Sequence, residues 1–373
     1  MGLGWVLLYA IVAIGPLVVA LTADPPPGRG FLEEVSVALG FVGLAMMGLQ
    51  FAAVSRFARV SAPFGLDVVL HFHRQIAFVA LAFVLAHPAI MAAERSVDLI
   101  NPVAAHWTAR AGQLSVIAVV ALVATSVWRR RLGLSYEAWR VLHGILAVVA
   151  VAAALVHVER VGHYVSGPWK QGLWALFSAV FVALLVNTRV VQPVRQLRRP
   201  WRVTSVEPER GDAWTLTLEP EGHGGLRFLP GQFAWLRVHR SPFAVREHPF
   251  SFSSSAERPE RISFTIKAAG DFTSRVGAIP PGTRAYVDGP YGVFSYDRSQ
   301  GDGFVFVAGG VGITPIMSML RTLADRGDRR PCLLLYGNAD WDGVIFREEL
   351  EDLCDRLDLR VVHVPESPPE GWD

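Results

Sequence analysis

Six apolar runs fill the first half of the chain: Leu3–Leu21, Val35–Val54, Val68–Ala92, Ala111–Trp128, Trp139–Val158 and Gly172–Val191. A run of about 20 mainly apolar residues is long enough to cross the hydrocarbon core of a bilayer. The pattern therefore predicts six membrane helices with lipid around them. The first run could instead be a cleavable signal peptide ending at "LTAD", but no Lys or Arg precedes it, which favours a retained span. From Arg202 onward the pattern changes to short alternating stretches, "WTLTLEP", "FAWLRV" and "RISFTIK", broken by Gly and Pro. Alternation with a period of two predicts strands, here an antiparallel β-barrel of about 100 residues. A strand, a glycine turn and a helix follow in "FVFVAGGVGITPIMSMLRTL". The strand "CLLLYGN", the helix "FREELEDLCDRL" and the strand "RVVHV" then continue an α/β alternation.

Charge orients the spans. Arg56 and Arg59 follow the second run, Arg129, Arg130 and Arg131 the fourth, and Arg189, Arg195, Arg198, Arg199 and Arg202 the sixth. The other loops are less basic for their length and carry Asp24, Glu33, Glu34, Glu94, Asp98 and Glu159. Basic loops stay in the cytoplasm. Both termini and the polar half are thus expected there, with the spans in the plasma (inner) membrane.

Composition adds exclusions. Hydrophobic residues make up 51% and charged residues 18%, an average over an apolar half and a half of ordinary soluble composition. The net charge of +2, with no basic stripe carrying interleaved aromatics, argues against a nucleic-acid partner. Cys332 and Cys354 form no metal-type cluster and are expected to be free thiols without a role.

Ionisable groups inside a span are costly and mark function. His73 and His87 share the third run, and His143 and His157 the fifth; the members of each pair are 14 residues apart. Fourteen helical steps return to within about 40° of the same face and rise about 21 Å. The third and fifth spans run in the same direction, so His73 faces His143 near the inner surface and His87 faces His157 near the outer one. Paired imidazoles suit the axial positions of two b haems, which need no covalent Cys attachment. The 21 Å rise forbids a single four-ligand zinc site. Packing or ordinary hydrogen bonding would explain any one of these histidines, but two pairs at equal spacing favour ligation. His71 points about 160° away from His87 and is expected to be non-ligating. His106 and His163 fall in outer loops. Arg74 could meet a haem propionate or could be an ordinary interfacial arginine.

In the α/β region, Gly309, Gly310 and Gly312 form a turn between a buried strand and a helix opened by Thr314 as N-cap and Pro315 as first residue. Close backbone approach and a helix dipole suit a nucleotide pyrophosphate. The spacing is not GxGxxG, so the ordinary dinucleotide fingerprint does not apply.

These features together resemble the NADPH oxidase and ferric reductase family, with a ferredoxin–NADP reductase-like module, over nearly the whole chain. "HPFSFSS" resembles the family's flavin motif, implying that His248, Pro249, Phe250, Ser251 and Ser253 line the FAD. "GDFT" implies that Gly270, Phe272 and Thr273 hold its pyrophosphate. "AGGVGITP" implies nicotinamide nucleotide binding by Gly309, Gly310, Gly312, Thr314 and Pro315. The implied domains are a six-span bundle with two b haems at 1–195, an FAD-binding β-barrel at 200–299 and an NAD(P)H-binding α/β domain at 302–373. The family carries a further strand with Cys-Gly near its C-terminus, whereas this sequence stops at "PPEGWD". The last domain is accordingly expected to be incomplete.

The expected function is electron transfer from cytoplasmic NADPH or NADH through FAD and two b haems to an acceptor outside. O2 giving superoxide is preferred; a ferric chelate, or a protein partner receiving electrons, are the alternatives. No catalytic acid or base is required at the haems. A six-span transporter would leave the histidine pairs and the flavin motifs without a role. Arg347 or another basic residue could hold a 2′-phosphate, and no EF-hand loop points to calcium control.

Overall fold

The computed structural model describes residues 2–22, 26–55 and 64–372. Asp24, Arg56 and Arg59, which bear on the orientation of the spans, lie outside the described residues. The chain divides into two compact units, Met1–Val190 and Val191–Asp373.

The first unit holds α1 (Gly2–Thr22), α2 (Phe31–Val54), α3 (Leu66–Glu94), α4 (Trp107–Val127), α5 (Tyr136–Val161) and α6 (Pro168–Val186). Among the described residues, six helices are long and apolar enough to cross a membrane, the sixth counted through to Leu197. Their outward faces carry exposed apolar side chains such as Leu3, Ile11, Ile117, Ile145 and Leu176. That is the expected outer surface where lipid is the solvent. Inside, Phe41, Leu44, Met47, Ala80, Ala118, Ala150 and Trp174 form the core. α2 packs along α3 and α4 along α5, whereas α3 and α5 hold their backbones apart. Small residues permit the close pairs: a Cβ on Gly43 would lie 3.2 Å from Val84 of α3. Ion pairs and hydrogen bonds tie the loops at one end. Arg95 meets Glu33 at 2.8 Å, and the Tyr164 hydroxyl donates to Glu34.

α6 passes through one π-helical turn, Asn187–Val191, and the chain continues as α7 (Gln192–Leu197). After it, within the second unit, come β1 (Trp201–Glu209), β2 (Ala213–Pro220), β3 (Phe233–Val238), β4 (His248–Ser251), β5 (Ile262–Lys267) and β6 (Arg284–Tyr291). They form one antiparallel sheet in the order β4-β3-β6-β1-β2-β5. The sheet curls so that its two edges meet through a single bridge, Phe252 to Phe264, making a half-barrel in place of a fully closed one. Its interior is filled by Val203, Leu216, Leu218, Leu236, Phe252, Ile262 and Phe264, all fully buried.

A parallel sheet follows, β7 (Phe304–Gly309), β8 (Cys332–Asp340) and β9 (Leu359–Ser367), in that order, with α8 (Ile313–Arg326) and α9 (Arg347–Arg356) as crossovers. α8 buries Ile313, Ile316, Met317, Leu320 and Leu323, one face at helical spacing. Each such side chain is worth about 1.5–3 kcal/mol on burial. One expected cap is corrected here. α8 starts at Ile313 with Gly312 as its N-cap, so Thr314 and Pro315 lie inside the first turn. A 3₁₀ turn, Gly310–Gly312, runs directly into the helix, and the Thr314 hydroxyl donates to Val311 O at 2.8 Å instead of accepting from a backbone N–H. Pro315 costs nothing there, because first-turn N–H groups have no intrahelical partner.

Candidate functional site

The histidine pairs meet as expected. Across the space between α3 and α5, the His73 and His143 ring centroids lie 6.3 Å apart, and those of His87 and His157 6.2 Å. Two metal–imidazole bonds of about 2 Å each, plus the two ring halves, give a centroid separation of about 6 Å. Each pair therefore suits one metal held axially from both sides. Among the described residues, no three His, Cys, Asp or Glu side chains cluster as a metal site.

The outer nitrogens of the rings are fixed by their surroundings. His87 Nδ1 donates to Ser36 O at 2.9 Å, and His157 Nδ1 to Thr108 O at 2.8 Å. A carbonyl only accepts, so each Nδ1 carries the proton and each Nε2 keeps its lone pair. At the other end, His143 Nδ1 lies 3.2 Å from Ser126 Oγ. That hydroxyl spends its hydrogen on Leu122 O at 2.7 Å and accepts from Trp139 Nε1 at 3.2 Å. His143 must therefore be the donor. The buried Nδ1 of His73 has no hydrogen-bond partner among the described residues. His71, in contrast, is exposed. Close to His143, the Arg189 guanidinium comes within 3.8 Å of where a Cβ on Gly144 would stand.

In the half-barrel, β3 pairs with β4 and sets His248 opposite Leu236 and Phe250 opposite Ala234. The "GDFT" segment folds back on β4. The Phe272 ring lies flat on His248 at 4.2 Å, with Phe250 parallel at 6.1 Å from Phe272. Pro249 is exposed and Ser251 half-buried, whereas Ser253 is fully buried. Thr273 Oγ1 accepts from Ala269 N and donates to Gly270 O, which shapes the turn. The space beside Gly270 is open.

A cleft of about 510 Å³ opens at the C-terminal ends of β7, β8 and β9, where ligands of parallel α/β sheets bind. Gly309, Gly310, Gly337, Asn338, Glu366 and Lys267 are among its walls. Gly310 has φ +50, a left-handed backbone that favours glycine. Beneath it the buried Tyr336 hydroxyl donates to Gly310 O at 3.1 Å, and burial pushes that phenol above its ordinary range, so it stays a donor. Nothing lies within 4 Å of a Cβ on Gly309, whose φ of −132 is ordinary. Gly309→Ala is thus expected to fold normally yet weaken NAD(P)H binding about tenfold, near 1.4 kcal/mol, by filling the space the ligand approaches. Titration of flavin reduction against NAD(P)H concentration checks this, and unchanged affinity would refute it.

Several supporting residues escape a sequence reading because their partners are distant. α8 grips the segment that follows β4: Arg321 donates to Ser253 O at 2.6 Å, Ser318 to Ser254 O at 2.7 Å, and Thr322 Oγ1 accepts from Ala256 N at 2.9 Å. The buried pair Arg237 and Glu247 anchors the end of β3 to the entry of β4. Arg347 stacks on Trp341, 4.8 Å from its centroid. Cys332 and Cys354 are free thiols; burial pushes Cys332 up to about 11, which makes it unreactive.

Residues 39–154 match the ferric reductase like transmembrane component, 215–295 an FAD-binding domain, and 306–373 an oxidoreductase NAD-binding domain. The chain has the architecture of the NADPH oxidase and ferric reductase family. Its second unit is a ferredoxin–NADP reductase-like module, and the domain set is that of an NAD(P)H-dependent oxidoreductase. Among curated relatives, the reductase component of propane 2-monooxygenase from Rhodococcus jostii is 29% identical over 43% of this chain and 43% of that one. A flavohemoprotein from Deinococcus radiodurans is 27% identical over 63% of this chain and 53% of its own length. The chain spans about half the length of these relatives, or less. A solved Amycolatopsis cytochrome P450 reductase is 22% identical, with 46% of this chain and 53% of that one covered and a TM-score of 0.41.

Proposed function

We propose that this protein moves electrons across a membrane, from cytoplasmic NAD(P)H through FAD and two b haems to O2 outside, forming superoxide. One observation carries the reading: two facing imidazole pairs on α3 and α5, about 21 Å apart along the helices. His73 with His143 would ligate the inner haem and His87 with His157 the outer one. The bundle would occupy 1–195, the FAD domain 200–299 and the NAD(P)H domain 302–373. His248, Pro249, Phe250, Ser251 and Ser253 would line the flavin, with Gly270, Phe272 and Thr273 at its pyrophosphate. Gly309, Gly310, Gly312, Thr314 and Pro315 would bind the nucleotide. Bound FAD supplies the conversion of a two-electron hydride into the single electrons that haem iron accepts.

The protein's own part is positioning and exclusion. Tyr336 holds the glycine turn in place, α8 fixes the flavin segment, and the apolar bundle keeps water from the histidines. The relatives named as reductase components support a flavin module that serves as an electron source. The arginines after the fourth and sixth spans support a cytoplasmic location for that module.

The full chain, purified with haem and FAD and supplied with NADPH or NADH, should reduce O2 in a reaction whose reporter signal superoxide dismutase abolishes. Dismutase-insensitive turnover with rapid anaerobic reduction of ferric citrate would overturn O2 in favour of a ferric chelate. Reduced haems that react with neither acceptor would point to a protein partner.

A further inference from the structure

A helix carbonyl accepts from Nδ1 of both His87 and His157, and at His87 the Ser36 hydroxyl also lies 3.1 Å from Nδ1 while donating to His87 O. Ser36 O on α2 accepts from His87 Nδ1, and Thr108 O on α4 accepts from His157 Nδ1. Four residues after each carbonyl stands a glycine, Gly40 and Gly112. Residues four apart share a helix face, so each glycine lies beside its carbonyl. A Cβ on Gly40 would stand 3.2 Å from His87 Nδ1, and one on Gly112 3.0 Å from His157 Nδ1. Both distances are tighter than a Cβ normally tolerates. In a regular helix the carbonyl of residue i already accepts from the N–H of i+4. A side chain at i+4 would cover the one direction from which a second donor can reach that oxygen. Glycine leaves it open.

We infer that Gly40 and Gly112 are positioning residues: they expose the Ser36 and Thr108 carbonyls so that these orient His87 and His157 and strengthen both as ligands. A ring Nδ1–H given to a carbonyl fixes the tautomer and raises the basicity of Nε2. Among the described residues the other pair shows no such carbonyl, since His143 uses a hydroxyl already engaged twice and His73 Nδ1 meets no partner there. The two pairs therefore differ in donor strength although their ring separations match.

This inference rests on the haem ligation proposed above. The test uses the full chain in lipid nanodiscs, with Gly40→Ala and Gly112→Ala made singly and Gly172→Ala, whose Cβ meets nothing within 4 Å, as control. The readouts are potentiometric titration of the haem absorbance and low-temperature electron paramagnetic resonance. Each test variant should change one of the two haem signals. Its reduction equilibrium should move upward about tenfold, which is 59 mV for one electron, or that haem alone should be lost. The second haem and the control should stay as in the wild type. Two unchanged haem signals in both variants would overturn the inference. So would loss of both haems in both variants, which would make the glycines packing residues. A wild-type protein without bis-imidazole haem signals would instead refute the ligation itself.

Discussion

On the ligation proposed above, His87→Ala should lower the haem content from two per chain to one. His87 sits on α3 with its ring facing His157 and its Nδ1 tied to Ser36 O, so the substitution removes one Nε2 and leaves the other pair untouched about 21 Å away. Changing only the group that orients a ligand costs 10–100-fold in affinity or activity, so losing the ligand should cost about 100-fold or more in reduction of the final acceptor. Reduction of the flavin by NAD(P)H should be unchanged, because it needs no histidine of the bundle. Haem quantified against flavin in the purified protein gives the answer. A ratio that stays at two would show that His87 is not a ligand, and the assignment of His157 would fall with it.

Glu247→Ala should be among the most destabilising single changes in the second unit. Arg237 and Glu247 are both buried, with side chains 7% and 1% exposed. Arg237 also donates to Gln196 Oε1 at 3.1 Å and to Ala244 O at 3.3 Å. Removing the carboxylate takes the ionic partner from a buried guanidinium. Breaking a buried pair in this way costs about 3–5 kcal/mol. The double change Arg237→Met with Glu247→Leu should recover most of that loss, since apolar replacements remove both charges together. Glu247 immediately precedes His248, so release of FAD should follow the same order: early in the single variant, near normal in the double. FAD fluorescence during urea titration measures both. A single variant within about 1 kcal/mol of the wild type would show that the pair is not needed to hold β3 to β4.

Much of this architecture was legible in the amino-acid order because its signals are periodic or local. The apolar runs correspond to α1–α6 because a backbone in lipid must satisfy its own hydrogen bonds, which forces each run into a helix. The 14-residue spacing placed His73 over His87 and His143 over His157 because helix geometry is regular enough to carry a phase over four turns. The strands of the half-barrel and the glycine turn were equally visible. The helix cap was not: Thr314 looks like a cap in sequence, but the preceding glycines coil into a 3₁₀ turn and extend the helix past it.

Sequence by itself thus determined the order of the parts, the number of spans and which histidines share a face. Only the tertiary structure decided which groups those parts offer each other. It set Ser36 and Thr108 carbonyls on the rings, laid Phe272 on His248, and brought Ser318 and Arg321 to the segment after β4. It also buried Arg237 against Glu247. The reason is physical. Secondary structure follows from repeating local interactions, whereas a carbonyl's second partner depends on which helix packs beside it and on whether a glycine leaves room.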